Sequence, residues 1–290
     1  MIFIRMVIGM RNKIKGKKLV LLVFIGVVII LAGSYTIYRM NTHPNASSQS
    51  MPVIMAHRGY FVQAVENTIG SLEAAVVFKP DYVELDVVES ADGEMFVIHD
   101  NNLKRLAGID EDIRKMTADQ VKAVVLKENG YESHISTLSE FVDRAIQLNQ
   151  NLNVEIKIYG NESSDYVSNV VKLLQAKQVD KKYLIQSLDW NTVQEVNKIE
   201  PEIVAGYIAT KKDFNLNDPG IDFISTPAYD VAKDLIGHKE LTSKPIYVWT
   251  IDAEENIEKV FSQGASGVIT NRCNEAIQFR AQLVKTGKIS

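Results

Sequence analysis

The chain has 290 residues, 46% of them hydrophobic, and a single cysteine, Cys273. That length supports a large core, in one α/β barrel or two smaller domains, and the lone cysteine excludes an internal disulfide and a cysteine-based metal site. The net charge of −4 conceals an asymmetry: residues 1–50 carry seven Lys or Arg and no acid, which leaves 25 basic against 36 acidic residues, or −11, for the remainder. An acidic globular part argues against nucleic acid as a partner, because a phosphate backbone demands a basic footprint.

Six basic residues in segment 1–18 precede residues 19–38, which contain no charge. About 20 such residues suffice to cross a hydrocarbon core of about 30 Å. Only Arg39 follows closely, so the positive-inside rule predicts a single-pass transmembrane anchor with the N-terminus in the cytoplasm and the globular part outside. The alternative is a signal peptide cleaved near Leu31-Ala32-Gly33-Ser34, giving a secreted protein. Residues 39–51 have the composition of a flexible linker, and residues 52–290 form the globular domain.

From residue 52 short apolar runs alternate with amphipathic stretches. Strands are expected at 53–56, 82–88, 154–158, 183–186, 203–208, 222–225, 246–250 and 267–270, with helices at 69–78, 138–148, 166–176, 190–198 and 254–262. The near-continuous apolar character of the runs suggests parallel strands covered by helices. Eight βα steps in this length predict an α/β fold of the (β/α)8 TIM-barrel type. Residues 95–135 break the alternation: an extra strand at 95–99 precedes a long irregular excursion, an insertion after the second barrel strand.

Ionisable residues stand at the ends of these runs or within them. They are His57 and Arg58, Glu66, Glu84 and Asp86, His99, then Glu155 and Lys157. A buried charge without a partner costs several kcal/mol, so a cluster implies a shared counter-ion or a site. Glu84 and Asp86 are two apart on one strand, as are Glu155 and Lys157, so each pair shares a face, and the apolar neighbours must face the helices. The charged face is then the barrel interior, at the C-terminal strand ends where such barrels keep their chemistry.

Glu84, Asp86 and Glu155 make an all-oxygen triad that favours a divalent cation, Ca²⁺, Mg²⁺ or Mn²⁺, over zinc or copper. His57 and His99 suit acid–base work near neutral pH. Arg58 and Lys157 offer cations to a phosphate. With one divalent cation these groups total about +1, suited to a phosphodiester monoanion. His43, His134 and His238 receive no role.

His57-Arg58-Gly59, Glu66-Asn67-Thr68, Glu84-Leu85-Asp86-Val87, Ile98-His99-Asp100 and Glu155-Ile156-Lys157, in this order, resemble the signature of the glycerophosphodiester phosphodiesterase family, TIM barrels of the phospholipase-C-like phosphodiesterase type. Weaker echoes are Thr137-Leu138, Gln186-Ser187, Val248-Trp249-Thr250 and the run from Gly267 to Asn271. The resemblance implies hydrolysis of glycerophosphodiesters to sn-glycerol 3-phosphate and an alcohol. It makes His57 and His99 the acid/base pair, Glu84, Asp86 and Glu155 the metal ligands, and Arg58 and Lys157 the phosphate-binding groups. It further implies attack of the glycerol 2-hydroxyl on phosphorus to give a cyclic phosphate that water opens. Glu66 and Trp249 are supporting residues, Glu66 orienting Arg58 or the metal shell, or simply preceding a helix cap at Asn67 or Thr68. Val65 stands where the family usually has proline and Asn271 where aspartate is common; neither falls on the proposed chemistry.

Two rival readings remain: a barrel cleaving larger lipid phosphodiesters, of lysophospholipase D or sphingomyelinase D type, and a catalytically inactive tethered binding module. The first wants an apolar rim beside the phosphate site, and segment 102–135 has few consecutive apolar residues to supply one. The second is disfavoured because both histidines and all three candidate metal ligands are present.

Overall fold

The computed structural model describes residues 21–27, 51–210, 216–228, 236 and 242–289, in two compact units, Met1–Pro44 and Asn45–Ser290. In the first unit residues 21–27 are helical, with Leu21, Leu22, Val23, Phe24 and Ile25 exposed. Among the described residues no helix is long and apolar enough to cross a membrane. The rest of the expected 19–38 anchor, and the linker as far as residue 50, lie outside the described residues.

Among its described residues the second unit has eleven strands: β1 (Val53–Ala56), β2 (Tyr82–Glu89), β3 (Met95–Val97), β4 (Val125–Glu128), β5 (Tyr131–His134), β6 (Leu152–Ile156), β7 (Leu184–Ser187), β8 (Val204–Ile208), β9 (Phe223–Pro227), β10 (Ile246–Trp249) and β11 (Gly267–Thr270). β1, β2 and β6 to β11 pair in parallel, and β1 contacts both β2 and β11, which closes the eight-stranded barrel. The α-helices among the described residues of this unit are α1 (Ile69–Val76), α2 (Lys104–Ala107), α3 (Ala118–Lys122), α4 (Leu138–Gln147), α5 (Tyr166–Ala176), α6 (Trp190–Ile199), α7 (Glu254–Ser262) and α8 (Cys273–Lys285). The expected strands fall in place with ends shifted by a residue or two. The largest shift is β6, which starts at Leu152 and stops at Ile156, leaving Ile158 37% exposed.

Period-two alternation sorts each strand. Val83, Leu85, Val87, Val154 and Ile156 join Leu72, Phe141, Val170 and Leu174 from α1, α4 and α5 in the shell between barrel and helices. Met55, Leu184, Phe223 and Ile269 form a separate apolar cluster, with Tyr82, Tyr247 and Trp249 packed against it. Gly206 leaves the room for Phe223, since a Cβ there would sit 2.1 Å from its ring.

The insertion is ordered, not irregular. β3 pairs antiparallel with β2, β4 and β5 form a hairpin, and Phe96, Ile98, Leu103, Leu106, Ile113, Val121 and Leu126 bury together against Val65 and Val88. The apolar residues are spaced along short elements rather than run together, which is why the sequence reads as loop.

Candidate active site

The cavity at the C-terminal mouth holds about 120 Å³ and is lined by His57, Arg58, Glu84, Asp86, His99, Glu155, Lys157, Gln186, Leu188, Trp249 and Ile269. All of the residues expected to carry the chemistry converge there. Glu66 stands just behind them, and Trp249 is part of the wall.

Local sequence explains the geometry of the first loop. β1 ends at Ala56, and the chain then turns through left-handed backbone at Arg58 (φ 55°) and Gly59 (φ 79°). A Cβ at Gly59 would lie 2.5 Å from the Ser71 hydroxyl, so glycine is what lets α1 pack against this turn. Thr68 is the N-cap of α1, in a capping box with Ser71. Asn67, also left-handed (φ 55°), is free of the cap and serves Asp86 instead. Its Nδ2 donates to Asp86 Oδ2 at 2.8 Å, and its Oδ1 accepts from the Asp86 amide at 3.1 Å.

The acids and bases interlock. The Arg58 amide donates to Glu84 Oε2 at 3.0 Å, Arg58 Nη1 donates to Glu66 Oε1 at 3.0 Å, and Arg58 Nε lies 3.6 Å from Asp86 Oδ2. Lys157 Nζ donates to Glu155 Oε1 at 2.9 Å and lies 3.3 Å from Asp86 Oδ1. Glu66 therefore orients Arg58, one of the options left open by the sequence. Its other partner, Arg105 of α2, bonds both carboxylate oxygens and also reaches Asp100 Oδ2 at 2.6 Å.

Each histidine is backed at Nδ1. His99 Nδ1 is 2.6 Å from Asp100 Oδ1, and His57 Nδ1 is 2.7 Å from Asn271 Oδ1. Asn271 thus touches the candidate acid/base group directly, contrary to the expectation that this departure lies clear of the chemistry. Burial, and then the Arg58 charge, lower the His57 pKa to about 4, so this ring is neutral at pH 7.

Glu84, Asp86 and Glu155 are all buried, and each offers one oxygen within 4.8 Å of the other two. Burial raises Glu84 well above the ordinary carboxylate range, with Asp86 and Glu155 adding to it. Burial and Asp86 push Glu155 up to about 7. Asp86 goes the other way: burial opposes its charge, but Lys157, His99 and Arg58 outweigh it. One carboxyl is firmly ionised and two resist ionisation without further positive charge, which fits a cluster that could hold a divalent cation through oxygen donors.

The sequence profile of the glycerophosphoryl diester phosphodiesterase family matches residues 57–275, from the first candidate catalytic residue to α8. The chain belongs to this family. It is an enzyme, a phosphoric diester hydrolase with glycerophosphodiester phosphodiesterase activity. A glycerophosphodiester phosphodiesterase from Caldanaerobacter subterraneus is 23% identical to this phosphodiesterase over 230 residues, spanning 76% of this chain and 93% of the relative. The fold matches a glycerophosphodiester phosphodiesterase from Parabacteroides distasonis with a TM-score of 0.71, at 23% identity, over 82% of this chain and all of the other. It also matches an Oleispira antarctica phosphodiesterase solved with the product sn-glycerol-3-phosphate, with a TM-score of 0.67 and 23% identity, over 80% of this chain and 97% of that one.

Asn67, Arg105, Asp252 and Asn271 take part in this site without having been assigned to it from sequence. Asp252 follows β10 as a charged residue at a strand end, the same signal that marks His57 and Lys157. Arg105 carries no such signal, because its partner Glu66 is 39 positions away.

Proposed function

We propose that this phosphodiesterase hydrolyses glycerophosphodiesters to sn-glycerol 3-phosphate and an alcohol, using a divalent cation, from a membrane-anchored position outside the cell. The observation that carries the reading is the convergence of two backed histidines, three buried carboxylates and two cations on one small cavity.

In this reading Glu84, Asp86 and Glu155 hold the cation, which supplies positive charge to the phosphate oxygens when bound. Arg58 and Lys157 bind and orient the phosphodiester. One histidine takes the proton from the glycerol 2-hydroxyl as that oxygen bonds to phosphorus. The other gives a proton to the departing alcohol oxygen as its bond to phosphorus breaks. The roles then reverse for the water that opens the cyclic phosphate. Asn271 and Asp100 hold the rings so that each Nε2 is the exchanging atom.

A lipid phosphodiesterase is the second reading, and one observation favours it. A second cavity of about 350 Å³ shares His99, Glu155 and Lys157 with the site and is walled by Ile158, Tyr159 and Leu188. These three side chains are 37%, 38% and 47% exposed. The apolar rim thus comes from the loops after β6 and β7, not from the insertion. The full chain offered glycerophosphocholine and lysophosphatidylcholine separates the readings. Faster release of sn-glycerol 3-phosphate from the first supports the proposal, and preferential choline release from the second supports the alternative.

A further inference from the structure

Asp252, in the loop between β10 and α7, binds Asn271 twice. Its Oδ1 accepts from the Asn271 amide at 2.8 Å and from the Thr270 hydroxyl at 3.1 Å, while its Oδ2 accepts from Asn271 Nδ2 at 2.9 Å. An ionised carboxylate is an acceptor only. The Asn271 side-chain nitrogen must therefore face Asp252, which turns its oxygen, an obligate acceptor, toward His57. At 2.7 Å from that oxygen, His57 Nδ1 has to be the donor. The remaining ring nitrogen, Nε2, then carries the lone pair.

We infer that Asp252 is a positioning residue: by fixing the orientation of the Asn271 amide it sets His57 in the Nδ1–H tautomer, with Nε2 free to take a proton. This rests on the acid/base reading of His57 and extends it. An amide alone does not choose a tautomer, because a flipped asparagine would present its NH₂ to Nδ1 and leave Nε2 protonated. The carboxylate behind it removes that choice. Asp252 and Asn271 lie in different βα loops, so the device also ties the end of β11 to the loop that follows β10.

The test uses ¹⁵N-histidine-labelled full chain and long-range ¹H–¹⁵N correlation spectra. The His57 signals are assigned by their absence in His57→Ala. The wild type should show a protonated Nδ1 and an unprotonated Nε2. Asp252→Ala should populate the opposite tautomer and lower kcat by about 10–100-fold, the usual cost of losing a group that orients an active-site imidazole, with KM little changed. Asn271→Asp alone sets two carboxylates against each other and should be as impaired. Combining it with Asp252→Asn exchanges amide and carboxylate: the bond between the two side chains reverses direction, every contact keeps a partner, and an acceptor still faces His57 Nδ1. The double variant should regain the wild-type tautomer and most of its kcat. A wild-type ring protonated at Nε2, an unaltered tautomer in Asp252→Ala, or a double variant no better than Asn271→Asp would overturn the inference. Full turnover by His57→Ala would instead remove the acid/base reading on which it rests.

Discussion

Arg105 Nη2 lies 2.5 Å from Glu66 Oε1, the same oxygen that receives Arg58 Nη1 at 3.0 Å. The insertion after β2 therefore reaches the layer just behind the candidate site: α2 supplies an arginine that shares the buried Glu66 with the proposed phosphate-binding arginine. Arg105 also holds Asp100, which backs His99. One insertion residue thus braces both the phosphate side and one histidine.

Removing that brace should be visible in binding. Arg105→Ala leaves the Glu66 carboxylate with Arg58 as its one arginine partner among the contacts described. The variant should lose about 1–3 kcal/mol of stability, the scale of a hydrogen bond to a charged group. It should also raise KM several-fold as Arg58 is drawn toward Glu66. Arg105→Lys keeps the charge without the planar fork and should fall between. Steady-state kinetics and chemical denaturation check both; an unchanged KM in Arg105→Ala contradicts the coupling.

The histidines should fail in chemistry and not in folding. His57→Ala and His99→Ala are each expected to lower kcat by about 10²–10⁴-fold, the range for a lost proton-transfer group, with circular dichroism unchanged. Near-normal turnover in either variant takes that residue out of the mechanism.

Much of this arrangement was legible in the sequence, because the signal is local. A charge at the end of an apolar strand has few structural explanations, and that reasoning placed His57, Glu84, Asp86, His99, Glu155 and Lys157 in one mouth. What escaped is non-local. The sequence leaves Asn67 and Thr68 both open as the helix cap; Thr68 fills that role, and Asn67 turns to Asp86. Asn271 reads as a departure that could reshape the mouth without touching the chemistry, yet it meets His57 across 214 positions. The insertion core draws Val65 and Val88 from the barrel into contact with Leu103, Ile113 and Leu126, and no periodicity within 102–135 announces that union.

The buried carboxyls predict an unusual pH dependence for the chelator-treated protein. The Glu155 pKa is about 7 when folded against an ordinary 4.5, and Glu84 is likewise raised, so the folded chain holds extra protons above pH 4.5. That stabilisation is complete below pH 4.5 and is lost as pH rises through about 7. His57 has the opposite sign: its pKa of about 4 against an ordinary 6.5 makes stability rise with pH up to 6.5 and no further. Beyond pH 6.5, among the groups described, the raised carboxyls set the trend, so Tm in EDTA should fall toward about pH 8. Saturating Ca²⁺, Mg²⁺ or Mn²⁺, whichever binds, should raise Tm and flatten the decline, because the cation replaces the protons. A Tm in EDTA that rises over this interval contradicts the assignment.

The proposed topology places the barrel outside the cell. Protease added to intact cells or protoplasts should release the barrel and leave the N-terminal segment behind. A barrel protected until the membrane is lysed reverses the orientation and makes the substrate cytoplasmic.

The most direct measurement is the rate at which the full chain releases sn-glycerol 3-phosphate from glycerophosphocholine before EDTA treatment, after it, and after Ca²⁺, Mg²⁺ or Mn²⁺ is restored. The account predicts turnover that EDTA abolishes and at least one of these cations recovers, with Glu84→Gln, Asp86→Asn and Glu155→Gln each needing more cation for half-maximal rate. Turnover that persists undiminished in EDTA, or no release under any of these conditions, would contradict it.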